Sequence, residues 1–149
     1  MDINKIMSLS KVMSTNLITL DMDDDLEKAK AIFDQHKIHH ILVLSDEVLV
    51  GVITDRDIYK HLSPTIGTKN ETPRDHSSLQ KKLHLVMNRN LTTTAEDVSL
   101  NEAVLLFHDK HISYLPVVND NMEPVGIISW RDILKVIALQ YRHKLSDNK

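Results

Sequence analysis

Two stretches of the chain carry the same succession of apolar and polar positions. Leu26, Ala29, Ile32 and Phe33 recur at helical spacing, and Leu100, Ala103, Leu106 and Phe107 do the same further on. Each set follows a residue suited to cap a helix, Asp25 or Ser99, and Ser99 with Glu102 has the spacing of a capping box. Ahead of each helix, residues 17–20 and 91–94 read as a short strand. Behind each come two β-branched runs, residues 40–44 and 48–54 in the first copy and 114–118 and 124–129 in the second, with a polar turn between them. A second helix is predicted to start near Asp55 and again near Trp130. The order strand, helix, strand, strand, helix therefore occurs twice, which predicts an α/β (α+β) fold with small sheets covered on one face by helices.

The copies match residue by residue. At an offset of 74 positions Val12-Met13 falls on Val86-Met87, Asn16-Leu17 on Asn90-Leu91, and Leu26, Ala29, Phe33 and Ile38 on Leu100, Ala103, Phe107 and Ile112. After one extra residue near Met122, an offset of 75 places Gly51 on Gly126 and Arg56-Asp57-Ile58 on Arg131-Asp132-Ile133. Repeat one spans residues 12–62 and repeat two residues 86–137, inside a single module of residues 1–149. A repeat of this size is expected to need its copy to close a core, which makes the pair the folding unit. Residues 63–85 join the two. Pro64, Gly67 and Pro73 mark residues 63–78 as a surface linker, and Leu79, Leu83 and Met87 predict a short amphipathic lead-in helix. Residues 3–13 are expected to lead into repeat one in the same way. Residues 138–149 complete the last helix and end in a frayed tail from Ser146.

Each last strand delivers a hydroxyl to a helix start, Thr54 or Ser129, with an acid three positions later, Asp57 or Asp132. A helix start offers unfilled backbone N–H groups, which suit a phosphate. A nearby carboxylate can accept two hydrogen bonds from a ribose diol. Arg56 and Arg131 sit in the positive first turn, where a cation is disfavoured and a bound phosphate would relieve the conflict. The same spacing is also that of a capping box, with aspartate for the usual glutamate, and capping alone explains the hydroxyl and the acid. It does not require the arginine, and it does not require the pattern twice.

The sequences Gly51-Val52-Ile53-Thr54-Asp55-Arg56-Asp57 and Gly126-Ile127-Ile128-Ser129-Trp130-Arg131-Asp132, together with Leu115-Pro116-Val117-Val118, resemble the CBS-domain family. The resemblance covers both repeats and implies a stand-alone, non-catalytic CBS pair (a Bateman module). Its central cleft would hold two quasi-equivalent sites for AMP, ADP, ATP or S-adenosylmethionine. The family's arrangement would group Thr54, Arg56 and Asp57 with His39 and His40 of the same repeat and with Leu91, Thr92 and Thr93 of the other. The mirror site would use Ser129, Arg131, Asp132, Ser113 and Tyr114 with Leu17, Ile18 and Thr19. Trp130 stands where repeat one has Asp55, and Ser113 and Tyr114 where it has the two histidines, so the sites are expected to differ in affinity. Leu42 departs from the proline represented by Pro116.

Composition narrows the remaining choices. With Lys+Arg 18 and Asp+Glu 21 the net charge is -3, which argues against sequence-independent nucleic-acid binding. The absence of cysteine excludes disulfides, thiolate metal sites and a cysteine nucleophile. No signal peptide or membrane-length apolar run is present, so a cytoplasmic protein is expected. His36, His39 and His40 invite a metal reading, but His36 would end a helix while the other two point to opposite faces of a strand. The acids among residues 21–25 read as a solvated helix start, with a cation site as the lesser alternative. No catalytic arrangement, catalytic cofactor or metal is expected. Ile133, Leu134, Val136, Ile137 and Leu139 make the last helix apolar nearly all round, which points to a homodimer. The expected function is nucleotide sensing read out by a separate, regulated protein. The alternatives are a ligand-free interaction module and, more remotely, a histidine-based metal enzyme.

Overall fold

Alternating apolar residues and a two-residue turn fix the first sheet. In the computed structural model, which describes residues 7–149, β1 (Thr19–Asp21) runs parallel to β2 (His40–Ser45), and β2 pairs antiparallel with β3 (Val48–Thr54). The β2–β3 turn is made by Asp46 and Glu47, both at positive φ, the left-handed geometry that suits a tight hairpin. Between β1 and β2 runs α1 (Leu26–Gln35), whose start is capped by Asp25 accepting the Lys28 N–H at 3.1 Å. The acids ahead of it are spent locally: Asp24 pairs with Lys28 at 2.9 Å, and Asp21 accepts the Asp23 N–H. β3 leads directly into α2 (Asp55–His61).

Repeat two follows the same plan with β4 (Tyr114–Val118) antiparallel to β5 (Pro124–Ser129), flanked by α4 (Leu100–Lys110) and α5 (Trp130–Asp147). Ser99 and Glu102 form the capping box of α4. The strand expected over residues 91–94 does not form a ladder; it is reduced to a parallel bridge between Thr94 and Val117. Its counterpart in repeat one is anchored by Leu20, 6% exposed, whereas Thr94 at the equivalent position brings a hydroxyl and far less apolar area to bury. The last helix runs on to Asp147, so the expected frayed tail is shorter than residues 146–149.

The chain divides into two units. One is Ile18–Leu91; the other joins the described residues up to Leu17 with Thr92–Lys149. Each has its own core, built on Leu26, Ile41 and Ile53 in the repeat-one unit and on Leu100, Leu115 and Ile128 in the repeat-two unit. The segment that completes each core precedes the other repeat in sequence. Leu83 and Met87 fill the repeat-one core, and Leu9, with Met7 and Met13 beside it, fills the repeat-two core. Backbone bonds hold these segments in place. Val52 and Asn88 exchange N–H···O bonds of 3.0 and 2.9 Å, and Ile127 and Ser14 exchange bonds of 3.0 and 2.9 Å.

The same bonds explain a departure from expectation. Residues 79–87 form two 3-10 turns, Ser78–Gln80 and Leu83–Leu85, rather than an amphipathic helix. The N–H groups of Leu83 and His84 are taken by the carbonyls of Asp24 and Met22, so they cannot close a continuous α-helical ladder. The expected linker contains α3 (Pro73–Ser77), held by a capping box from Thr72 and Asp75. Of the lead-in expected over residues 3–13, the part from Met7 is described and holds the 3-10 turn Leu9–Lys11; residues 3–6 lie outside the described residues.

Candidate functional site

The strand pairing of repeat one places the start of β2 beside the end of β3, so His40 faces Thr54 across the ladder. The His39 carbonyl accepts the Asp55 N–H at 3.3 Å. His39, His40, Thr54, Arg56 and Asp57 thus converge at one edge of the repeat-one sheet. Thr54 Oγ1 accepts the Asp57 N–H at 3.1 Å while Asp57 Oδ2 accepts the Thr54 N–H at 3.0 Å, completing a capping box. The box leaves Asp57 Oδ1 and the Thr54 hydroxyl proton unspent. Thr54, Asp57 and His40 are half-buried, and Arg56 and His39 are exposed.

Asp55, which sequence reasoning left out of the site, turns out to be central to it. Its Oδ2 lies 2.9 Å from His39 Nδ1, and its Oδ1 accepts the Arg56 N–H at 2.9 Å. The register that sets His40 opposite Thr54 could have revealed this, because it brings positions 39 and 55 together. All three leading amides of α2 therefore already have acceptors within the chain: the His39 carbonyl, the Asp55 carboxylate and the Thr54 hydroxyl. The expectation of unfilled amides behind Thr54 does not hold there.

Repeat two reproduces the arrangement with different chemistry. Tyr114 faces Ser129, and the Ser113 carbonyl accepts the Trp130 N–H at 3.3 Å. Asp132 Oδ2 accepts the Ser129 N–H at 2.7 Å and the Ser129 hydroxyl at 3.1 Å, so this box uses the serine proton as well. Trp130 cannot cap the next amide as Asp55 does, and among the described residues no acceptor meets the Arg131 N–H. The Arg131 guanidinium lies 5.7 Å from the Trp130 ring centroid, a cation–π distance. The burial pattern matches repeat one: Tyr114, Ser129 and Asp132 half-buried, Ser113 and Arg131 exposed.

The first-strand residues fall as follows. Ile18, Thr19 and Leu91 belong to the repeat-one unit, and Leu17, Thr92 and Thr93 to the repeat-two unit. Thr19 is exposed on β1, and the other five are half-buried.

Electrostatics separate the two constellations further. Burial pushes the His40 imidazole down to about 4, and the neighbouring His39 adds to the effect, against the pull of Asp55 and Asp57. Burial would raise the Asp55 carboxyl, but the His39 hydrogen bond, the Arg56 amide and the charges of both histidines outweigh it and hold the group below the ordinary carboxylate value. Among the described residues no group of three or more histidine, aspartate or glutamate side chains is arranged to hold a metal ion, and no helix is long and apolar enough to cross a membrane.

Two tandem β-α-β-β-α repeats, each ending in a capped strand-to-helix junction, define a paired-repeat protein. The family model for the CBS domain matches residues 9–64 and 82–139, and the chain belongs to the CBS domain family. It is 31% identical over 126 residues to the inosine-5'-monophosphate dehydrogenase of Methanocaldococcus jannaschii, covering 84% of this chain and 22% of that protein. An uncharacterized protein of Methanopyrus kandleri is 33% identical over 104 residues, 68% of this chain and 48% of that one. The chain thus spans less than half of either relative. Among solved structures, the CBS domain pair of protein MJ0100, in complex with 5'-methylthioadenosine and S-adenosyl-L-methionine, is 26% identical with a TM-score of 0.73, covering 91% of this chain and 98% of that one. A Vibrio cholerae protein ascribed to acetoin utilization shares the fold, at 21% identity and a TM-score of 0.76, covering 97% of this chain and 98% of that one.

Proposed function

We propose that the chain is a regulatory, non-catalytic module that binds adenosine-containing small molecules at the two strand-to-helix junctions. One site is assigned to His39, His40, Thr54, Arg56 and Asp57, the other to Ser113, Tyr114, Ser129, Arg131 and Asp132. The observation that carries this reading is the recurrence, at the same register and burial in both units, of a polar strand start facing a hydroxyl and an acid. The methylthioadenosine and S-adenosylmethionine held by the similar CBS pair support the ligand class. Within each site the unspent carboxylate oxygen of Asp57 or Asp132 is the natural acceptor for a ribose hydroxyl. AMP, ADP and ATP belong to the same proposal, as does a cytoplasmic location in which a separate protein reads the bound state.

The proposal extends to a homodimer. Trp130, Leu134, Ile137, Tyr141 and Leu145 are all exposed and lie at the spacing of one helix stripe along α5. A second copy would cover the same stripe on both partners.

Thermal shift with AMP, ADP, ATP, 5'-methylthioadenosine and S-adenosylmethionine tests the ligand reading. A ligand at 100 times its Kd adds about 2.7 kcal/mol, which should raise the Tm by roughly 5 to 10 °C. Flat melting curves with every compound would favour the competing reading, in which Thr54, Asp57, Ser129 and Asp132 only cap their helices.

A further inference from the structure

We infer that Asp55 sets which adenosine ligands the repeat-one site accepts: its carboxylate excludes those with an anionic group at the 5' position and admits those whose 5' substituent is neutral or cationic. The inference rests on the ligand-binding reading above and sharpens it.

The geometry is that of a position already filled. Where a 5'-phosphate would seek backbone amides, the Asp55 carboxylate itself occupies the Arg56 N–H at 2.9 Å, and the amides on either side have their own acceptors. A phosphate would have to displace a like charge before gaining a single amide bond. The carboxylate is also fixed, because its second oxygen is held 2.9 Å from His39 Nδ1. Swinging it aside would break both contacts.

The groups facing this junction do not offset the charge. Asp55 and Asp57 are both acids, Arg56 is the single permanent cation beside them and is exposed, and His40 resists protonation in its half-buried position. His39 is the one group whose protonation would counter Asp55, and it is already engaged with it. Repeat two differs at the deciding place. Trp130 brings no charge, and Arg131 balances Asp132, so a phosphate there meets no extra carboxylate. The asymmetry lies in one residue of the junction.

Calorimetric titration of AMP and 5'-methylthioadenosine, which differ only in the 5' group, tests this. An Asp132→Ala background confines the heat to repeat one, and a pH of about 8 keeps imidazoles of ordinary basicity neutral. The parent should bind 5'-methylthioadenosine and discriminate against AMP. Asp55→Asn, whose amide can still accept from Arg56 and donate to His39, should raise the affinity for AMP by roughly tenfold or more relative to 5'-methylthioadenosine. The reciprocal Trp130→Asp, at an exposed position and in an otherwise unaltered chain, should weaken AMP at repeat two by a similar factor. Equal shifts for the two ligands in Asp55→Asn, or none, would overturn the role of Asp55 while leaving ligand binding intact. Absence of heat with both ligands in every protein would overturn the ligand-binding reading, and this inference with it.

Discussion

Gly51 in β3 lies directly beneath Met87, so close that a β-carbon at position 51 would overlap the methionine sulfur and come within 2.7 Å of Cγ and 3.1 Å of Cβ. Gly126 and Met13 repeat the relationship, with Cγ at 2.8 Å. The missing side chain, rather than any unusual backbone angle, lets the segment preceding the other repeat seal each core. Met87 Cβ cannot retreat without moving the backbone that bonds Asn88 to Val52. Gly51→Ala should therefore destabilise the protein by about 1 to 3 kcal/mol, the usual range for overpacking. Urea unfolding of Gly51→Ala, Met87→Ala and the double variant should show coupling, because the shorter residue at 87 removes the clash. Additive effects would mean that the two do not meet.

The capping boxes make the acids of both junctions structural as well as candidate ligand groups. Thr54→Ala and Asp57→Ala should each cost about 1 kcal/mol, and the double variant less than their sum, since either change dismantles the same box. Chemical denaturation measures this without any ligand. Loss of ligand heat in Asp57→Ala that exceeds what unfolding explains would separate the binding role from the cap.

His40 gives the protein a defined pH response. Its imidazole takes up a proton near 6.5 when unfolded but only at about 4 when folded. Between those values the unfolded chain holds more protons, so stability falls as pH is lowered through that window and is fully present above it. The expected loss from pH 7 to about 4.5 is about 2 kcal/mol, less than the full shift implies because the half-buried ring is partly screened. His40→Tyr, which copies Tyr114 of repeat two, should flatten that slope. Asp24 and Asp55, held below the ordinary carboxylate value, lose their contribution only at lower pH, so the two effects are separable by denaturation at several pH values.

The exposed stripe on α5 predicts self-association. Sedimentation or light scattering should report a dimer for the unaltered chain and a monomer for Ile137→Lys, a residue 47% exposed whose replacement leaves both cores untouched. A chain that is monomeric before the change would remove the dimer from the proposal.

The sequence by itself determined the repeat, the helices, the hairpin strands and the junction residues. These are local: helical spacing in Leu100, Ala103 and Phe107, alternation in β2, and capping chemistry at Thr54 and Ser129 all act within a few residues. Tertiary structure decided what depends on partners distant in sequence. It decided that residues 79–87 bond to Met22 and Asp24 instead of coiling on themselves, and that Met13 and Met87 each seal the core of the opposite repeat. It decided that Asp55 meets His39 and takes the Arg56 amide. Periodicity records which face of a segment is apolar, but not which surface it covers. A hydrogen-bonding group shows its capacity in the sequence, yet only the fold supplies its acceptor.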